Sequence, residues 1–198
     1  MRKTSEGERI FSGKKAMKTD RFSDQALIFQ YGSNMSSKRL NEKNRLNGEA
    51  RFVGIAYTKD DYELEFTVWS KKNKCAVANI RLCDSGRKIW GVLYEIPWHR
   101  VKRDLSGLCR TLDSIEGEGK TYRRTVISLR SQNGHLIDQE LQTYLGLRPE
   151  KGKTTSLEYV SYIIKGLREH NMPNDYVNYV KTQAIGNNPE LKNDICIL

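Results

Sequence analysis

The most informative absences in this 198-residue chain concern apolar runs and cysteine patterns. No apolar run approaches the roughly 20 residues that a membrane-spanning helix needs. The basic N-terminus lacks the apolar segment of a secretory signal, so we expect a cytoplasmic protein with no membrane partner. The four cysteines form no C-x-x-C pair and the three histidines are scattered, which argues against a zinc site or a disulfide framework.

Acidic residues are scarce relative to basic ones. The chain has 24 aspartates and glutamates and 34 lysines and arginines, which gives a net charge of +10. Residues 1–21 account for +4 of it. A basic chain can bind nucleic acid, a membrane surface or anionic small molecules. The basic segments lack the interleaved aromatics of single-strand binders. We therefore interpret the charge as a solvated basic surface and do not expect a nucleic-acid partner.

What the chain does contain is an apolar run that stops in a polar turn, within residues 26–35. Ala26 to Phe29 has the residue types of a buried strand. Gly32 permits backbone conformations that a side chain would forbid, and Ser33 and Asn34 favour turns and helix caps. A strand that enters a helix through a tight turn directs backbone N–H groups to one point, which suits a carboxylate or an oxyanion. An ordinary strand-to-helix turn is the alternative.

The remaining periodicity predicts mainly strands, followed by helices near the C-terminus. Alternating and apolar runs predict strands at residues 52–57, 62–69, 75–82, 89–96, 122–129 and 136–145, the last two joined by a hairpin signal at Gln132-Asn133-Gly134. Helical spacing predicts one helix that carries Val101, Leu105, Leu108, Leu112 and Ile115. It also predicts a second helix over residues 157–167 and a third that begins near Asn174. We expect an α+β fold in which helices pack on a mainly antiparallel, curved or barrel-like sheet.

The same composition suggests the domain boundaries. Residues 1–23 combine glycines with many charges and no periodicity, which predicts a flexible basic arm. Residues 24–188 are expected to form one domain, and residues 189–198 a C-terminal tail that is polar with an apolar tip.

Glu116 is the candidate for proton transfer. It ends the predicted amphipathic helix beside Gly117, which can serve as a C-terminal stop. Partial burial and the negative end of a helix dipole both raise the pKa of a carboxyl group, and so make it a usable proton shuttle near neutral pH. From these residues alone, a solvated glutamate is the competing interpretation, and Glu118 is the competing carboxylate.

Taken together, these segments resemble the gamma-glutamylcyclotransferase family, also called AIG2-like. The resemblance covers residues 26–188 and follows the family's order and spacing. It is carried by Phe29-Gln30-Tyr31-Gly32-Ser33-Asn34-Met35, Arg39-Leu40, Ala78-Asn79-Ile80, Trp90-Gly91-Val92-Leu93-Tyr94, Leu112-Asp113, Glu116-Gly117, Tyr122, Tyr159, Gly166, Pro173 and Tyr176. The Tyr-Gly-Ser-Asn turn combined with a Leu-Asp-x-x-Glu-Gly segment is more specific than either part alone.

The resemblance implies a fold, a reaction and a site. The family's fold is a small closed, mainly antiparallel β-barrel with flanking helices. In its reaction the α-amine of a γ-glutamyl group attacks its own γ-amide and releases 5-oxoproline, with no metal or cofactor. By resemblance Glu116 is the proton shuttle, and substrate-binding residues are Ile28, Phe29, Gln30, Tyr31, Gly32, Ser33, Asn34, Tyr122 and Tyr159. The loop before Tyr122 is one residue shorter than the family's, which bears on the role of Tyr122.

Two other functions remain open at this level. One is a relative that removes a γ-glutamyl group from a protected biosynthetic intermediate or acts on a γ-glutamylamine. The other is a non-catalytic module that binds a small molecule with the same fold, although a module needs no proton shuttle and Glu116 is present. The identity of the leaving amine and the oligomeric state, a homodimer included, are not determined by the sequence.

Overall fold

A computed structural model describes residues 24–104, 106–107 and 109–198. The predicted arm, residues 1–23, lies outside the described residues, and the predicted domain boundaries remain predictions. Within the described residues there are eight strands: β1 (Gln25–Gln30), β2 (Arg51–Thr58), β3 (Tyr62–Ser70), β4 (Cys75–Leu82), β5 (Trp90–Pro97), β6 (Tyr122–Val126), β7 (Leu129–Ser131) and β8 (Leu141–Gly146).

Six of these strands form one sheet in the order β6-β8-β1-β5-β2-β7, while β3 and β4 pair with each other in a separate two-stranded sheet. All pairings are antiparallel except that of β1 with β8. The predicted strand at residues 122–129 ends at Val126, and the chain then moves to the far edge of the sheet, where β7 pairs with β2. The mixed α+β fold is therefore confirmed.

The prediction of a closed barrel is wrong, because the six-stranded sheet has free edges at β6 and β7. Two side-chain hydrogen bonds connect the β3–β4 sheet to the main sheet. The side-chain oxygen of Asn79 in β4 accepts from the Gly146 N–H of β8 at 2.8 Å. The Tyr122 hydroxyl of β6 donates to the Ala78 carbonyl at 2.6 Å. Side-chain hydrogen bonds of this kind connect two sheets without continuing either ladder.

Strand β1 lies at the centre of the fold and is held close to β5. Ile28 and Phe29 are fully buried. A Cβ added at Gly91 of β5 would lie 2.4 Å from the Gln30 carbonyl oxygen and 2.6 Å from the Phe29 ring. Glycine at this position therefore allows the Phe29 ring to occupy the space that a side chain would fill. This close approach fixes the end of β1, where the polar turn begins.

The described helices are α1 (Ser37–Leu40), α2 (Trp98–Val101), α3 (Leu112–Glu116), α4 (Leu157–Glu169) and α5 (Asn174–Asn187). The two C-terminal helices confirm the prediction, with α4 packed against the turn that follows β1. A Cβ at Gly166 of α4 would lie 2.8 Å from the Met35 Cβ and 2.9 Å from the Ser36 nitrogen. Residues 189–198 form two 3-10 turns, and Leu191 and Ile195 of this segment are buried.

The prediction of one helix from Val101 to Ile115 is wrong. Helix α2 ends at Val101 because Lys102 is extended, with ψ of 141°. The Asp104 carboxylate accepts from the backbone N–H groups of Ser106 and Cys109 at 2.9 Å each, and Gly107 has φ of +70°. Side-chain bonds of this type compete with the helical ladder and favour a turn. Leu105 and Leu108 lie outside the described residues. Helix α3 is therefore a separate, short element.

Candidate functional site

The turn after β1 is built by a 3-10 helix, Ser33–Met35, and by the start of α1. The Met35 N–H donates to the Gly32 carbonyl at 3.0 Å, and the Ser36 hydroxyl caps α1 by accepting from the Arg39 N–H. Gly32 has φ of −108° and ψ of −149°, so it does not use the positive φ that glycine adopts most freely. A Cβ there would lie 3.5 Å from the Tyr159 hydroxyl, an ordinary van der Waals distance, so the space around Gly32 does not require glycine.

Glu116 is the last residue of α3, a helix defined by caps at both ends. Thr111 and Ser114 form a reciprocal capping box at its start. Gly117 ends it in the left-handed conformation, with φ of +67°, which confirms the predicted glycine stop. Because α3 has only five residues, these caps rather than helix propensity determine where Glu116 lies.

The turn and Glu116 meet through a chain of polar side chains. The Asn34 side-chain amide donates to Glu116 Oε1 at 2.5 Å. The guanidinium of Arg45 donates in turn to the side-chain oxygen of Asn34. Asn34 and Arg45 are 5% and 6% exposed, so both groups have left bulk water and depend on each other for hydrogen bonds. The structure thus brings together the two segments that the sequence identifies, although 82 positions separate them.

The charge balance around Glu116 sets its proton affinity. Burial raises the pKa of the Glu116 carboxyl above its ordinary value, although the residue as a whole is partly exposed. The positive charge of Arg45 and the hydrogen bond from Asn34 oppose this and lower the pKa, as does Arg39 at longer range. A carboxyl group with a raised pKa can accept and return a proton near neutral pH. Its hydrogen-bonding partners keep it oriented while it does so.

Two cavities meet at Glu116, which lines both. The narrow cavity has a volume of about 40 Å³ and is lined by Gln30, Tyr31, Gly32, Ser33, Asn34, Ala78, Glu116, Tyr122, Thr143, Tyr144 and Tyr159. The wide cavity has a volume of about 620 Å³ and extends past the β3–β4 hairpin. A volume of about 40 Å³ holds roughly three water-sized groups, which is the size of a carboxylate or a carbonyl with its substituents.

Three tyrosine hydroxyls in the narrow cavity are fixed by backbone groups. Tyr31 donates to the Tyr144 carbonyl at 2.6 Å, and Tyr122 donates to the Ala78 carbonyl at 2.6 Å. The Tyr159 hydroxyl accepts from the Ala78 N–H at 3.1 Å. Burial raises the pKa of Tyr31 and Tyr122 well above the ordinary value, and that of Tyr159 to about 12. All three are therefore neutral hydrogen-bonding groups at physiological pH.

A buried carboxylate supports this wall from behind. Asp113, 5% exposed, accepts from the Tyr144 hydroxyl at 2.6 Å and from the Arg124 guanidinium at 3.2 Å. It also accepts from the Arg103 N–H at 3.2 Å. Burial raises the pKa of Tyr144 beyond its ordinary range, and the bond to Asp113 acts in the same direction. Asp113 therefore joins α3, which carries Glu116, to the strands β6 and β8.

Most of the substrate-binding residues predicted from the resemblance line the narrow cavity: Gln30, Tyr31, Gly32, Ser33, Asn34, Tyr122 and Tyr159. Ile28 and Phe29 line neither cavity, because their side chains are fully buried in the core. Glu118 lines neither cavity, whereas Glu116 lines both. The geometry therefore favours Glu116 over its neighbour. The roles of all these residues remain predictions.

Sequence reasoning missed the arginine behind the turn and the basic wall of the wide cavity. Arg45 lies in a polar loop with no periodicity, so nothing in its local sequence indicates a buried side chain. The basic residues of the wide cavity come from several separate segments, including residues 39–45, 71–72 and 110–120. Only the fold brings them together, and net charge alone does not reveal such a cluster.

Two searches of residues 24–104, 106–107 and 109–198 gave negative results. No group of three or more histidine, cysteine, aspartate or glutamate side chains in these ranges is arranged to hold a metal ion. No helix in the same ranges combines the length and the apolar character needed to cross a membrane.

Comparison with known proteins relates this geometry to a family. Residues 88–180 match the model of the AIG2-like family. A search of curated proteins gave no match. Among solved structures, one named gamma-glutamyl cyclotransferase is similar with a TM-score of 0.64 and 25% identity, over 79% of this chain and 86% of that one.

Two further structures share the fold. An uncharacterized protein from Homo sapiens has a TM-score of 0.66 and 24% identity, over 80% of this chain and 87% of that one. The protein YkqA from Bacillus subtilis has a TM-score of 0.63 and 24% identity, over 81% of this chain and 54% of that one. The family match and these similarities support a relation to the AIG2-like, gamma-glutamylcyclotransferase-like superfamily, and the solved structures show that the fold is shared.

Proposed function

We propose that the protein is a gamma-glutamylcyclotransferase. The α-amine of a γ-glutamyl group attacks its own γ-amide carbonyl, a new C–N bond closes the five-membered ring, and the amide C–N bond breaks. The products are 5-oxoproline and a free amine. The observation that carries the proposal is the partly buried Glu116 carboxylate, held by Asn34 at the junction of a narrow and a wide cavity.

Glu116 is assigned the proton transfers. The α-amine arrives as an ammonium ion and has to lose a proton before it can attack. Glu116 accepts that proton and returns it to the leaving nitrogen. The attacking nitrogen loses a second proton when it becomes the ring N–H, and Glu116 passes this proton to the same leaving nitrogen, which departs as an ammonium ion. The carboxylate is thereby regenerated. The raised pKa of Glu116 suits both steps, because a weakly basic carboxylate would not take the proton and a strongly basic one would not return it.

The narrow cavity is assigned one polar end of the γ-glutamyl head. Its size fits a single carboxylate or carbonyl group, and apart from Glu116 its described wall offers neutral hydroxyl and amide groups. The Gln30 side-chain amide nitrogen is buried there without a hydrogen-bond partner among the described residues. A buried donor without a partner costs free energy that a substrate oxygen can offset. Because ring closure is intramolecular, holding the head in a folded shape contributes much of the rate.

The leaving amine extends from the junction into the wide cavity. This orientation accounts for the position of Glu116 between the two cavities, since the group that it protonates must face the exit. It also leaves room for leaving groups of different size, because about 620 Å³ exceeds the volume of a single amino acid side chain.

The test is 5-oxoproline release from a panel of γ-glutamyl dipeptides, glutathione and a γ-glutamylamine. We expect Glu116→Gln to lose at least about 100-fold in kcat/KM for the best substrate, because it removes the general base. Glu118→Gln is the matched control and should keep most of the activity. Near-normal turnover by Glu116→Gln would refute the assignment. Failure of the wild-type protein on the whole panel, with measurable binding, would favour the non-catalytic binding module.

A further inference from the structure

The wide cavity is far more basic than a general γ-glutamyl pocket requires. Its wall carries seven lysines and arginines but only two carboxylates, Glu116 and Glu150. The cations come from the turn and its following loop, from the end of the β3–β4 hairpin, and from segments on either side of α3 and after β8. Such a wall creates a positive potential inside a concave site, where the field is focused.

None of these cations forms a direct ion pair with a carboxylate of the described residues, although Glu116 attracts Arg45 at longer range. The described arginines that do form ion pairs with carboxylates lie outside the wide cavity: Arg51, Arg81, Arg87, Arg100 and Arg124. Two arginines of the wide cavity, Arg39 and Arg45, have a buried Nε with no hydrogen-bond acceptor in the described chain. Arg39 is oriented instead by stacking on the Tyr162 ring at 4.0 Å. A protein that merely needed a solvated surface would not bury guanidinium donors in this way.

The cations are also close enough to repel one another. Partial burial lowers the pKa of Lys72, although the residue as a whole is exposed, and the charges of Arg45, Arg110 and Arg39 lower it further. Burial lowers the pKa of Arg45 as well, and Arg39 and Arg110 contribute, while Glu116 opposes the shift. Unbalanced positive charge of this kind destabilises the empty site, and a bound polyanion relieves it.

We propose that the wide cavity selects γ-glutamyl substrates whose leaving part carries two or more negative charges. The inference rests on the proposed function, which supplies the γ-glutamyl head and the direction of the leaving group. The seven cations exceed the two wall carboxylates by five charges, and the single carboxylate of an ordinary amino acid would balance only one of these. The chemistry that satisfies them is a leaving part with several carboxylates, or one that bears a phosphate.

The experiment compares leaving groups of different charge, and the first pair is also matched in size. γ-Glutamyl-glutamine and γ-glutamyl-glutamate differ by one negative charge, and γ-glutamyl-phosphoserine introduces a phosphate against γ-glutamyl-serine. At low salt we expect kcat/KM to favour each more anionic partner by about tenfold, since each added charge gains a charge-assisted hydrogen bond. The preference should shrink as ionic strength rises. The glutamate and phosphoserine arms distinguish carboxylate from phosphate recognition.

Variants link the preference to the cavity wall. Lys72→Gln and Arg148→Gln each remove one wall charge and should reduce the anionic preference several-fold. Lys165→Gln removes the same charge from the exposed face of α4, outside both cavities, and is the matched control. An equal fall of the preference in Lys165→Gln would mean that overall charge, rather than this wall, is responsible, and would overturn the inference.

The readouts separate this inference from the proposed function. Turnover of all substrates at equal kcat/KM would overturn the charge preference and leave the cyclotransferase intact. If no substrate is turned over, calorimetric binding of γ-glutamyl-glutamate and γ-glutamyl-glutamine to Glu116→Gln still tests the preference. Equal affinities there would overturn it, and a clear preference for the dianion would support it. Tighter binding of a 20-nucleotide single strand than of any γ-glutamyl compound would also overturn it.

Discussion

The two cavities that meet at Glu116 differ in almost every physical property. The narrow one holds about 40 Å³, has no lysine or arginine in its described lining, and is walled by tyrosine hydroxyls bonded to backbone groups. The wide one holds about 620 Å³ and is walled by seven cations, several of them on exposed, flexible stems such as Lys72 and Arg148. Apart from Glu116, which lines both, the narrow cavity is fixed and neutral, and the wide cavity is adaptable and positively charged.

Under the proposed function, the narrow cavity positions the reacting atoms and the wide cavity recognises the leaving group. A reaction that closes a ring needs its reacting atoms held to within a fraction of an ångström, and bonds to the backbone provide that precision. Recognition of a charged leaving group needs less precise geometry, because Coulomb attraction acts over several ångströms. We therefore expect substitutions behind the narrow cavity to change stability and geometry, and substitutions in the wide cavity to change substrate preference.

The largest effect on stability should come from Asp113→Ala, which removes the carboxylate behind the narrow cavity. Tyr144, Arg124 and the Arg103 N–H all lose their acceptor, and breaking a buried pair on one side costs about 3–5 kcal/mol. Urea unfolding monitored by fluorescence measures the change. Arg148→Ala, on the exposed wall of the wide cavity, should stay within about 0.5 kcal/mol of wild type. Similar losses of unfolding free energy in both variants would contradict the proposed difference between the two cavities.

The next effect concerns the link between the two segments. The hydrogen bond from Asn34 holds Glu116 and lowers the pKa of its carboxyl group. Asn34→Ala removes this bond, so the pKa should rise and the acid limb of the kcat/KM profile should move to higher pH. At neutral pH we expect a roughly ten- to hundredfold loss in kcat/KM, the size of one hydrogen bond to a charged group. Asn178→Ala, exposed on α5, is the control. A limb that moves to lower pH would mean that Arg45 has replaced Asn34 as the partner of Glu116.

A pair of helical glycines tests how tightly α4 holds the turn. Gly166→Ala would place a methyl group 2.8 Å from the Met35 Cβ, and overpacking of this kind costs about 1–3 kcal/mol. Gly186→Ala in α5 has nothing within 4 Å and should instead stabilise the protein by about 0.5–1 kcal/mol. Thermal unfolding of the two variants gives shifts of opposite sign. A stabilising Gly166→Ala would show that the turn can move away from α4 without loss.

Much of the local structure was predictable because it depends on short-range patterns. The alternation of residues 62–69 predicted β3, and Gly117 predicted the end of α3 because only a residue that tolerates positive φ stops a helix in that way. The helix from Val101 to Ile115 was not correctly predicted. Its apolar spacing is helical, but the Asp104 carboxylate captures backbone N–H groups that a helix would need.

Features that depend on long-range placement were less predictable. Sheet closure depends on whether the edge strands β6 and β7 find pairing partners, and no local pattern in their sequences indicates this. The segments of the narrow cavity were found through the resemblance, since a turn and a glutamate 82 positions apart carry no mutual signal. The cations of the wide cavity had neither a local pattern nor a motif, so only the three-dimensional arrangement revealed them.

The smallest effect is a gain in stability from Glu116→Gln. Because burial raises the pKa of Glu116 in the folded protein, the folded state binds a proton more tightly than the unfolded state. Stability contributed by the protonated form is therefore lost as pH rises from the ordinary carboxyl pKa of about 4.3 through the raised value. Glutamine has no proton to lose, so the variant should be more stable than wild type at neutral pH, by on the order of 0.5 kcal/mol, and equally stable near pH 4.

Thermal midpoints of Glu116→Gln and wild type, measured across this pH range with Glu118→Gln as the charge-matched control, give the comparison. A variant that is less stable than wild type at neutral pH would mean that the attraction between Glu116 and Arg45 outweighs the burial of the carboxylate, and that the junction stabilises the fold rather than storing free energy for the reaction.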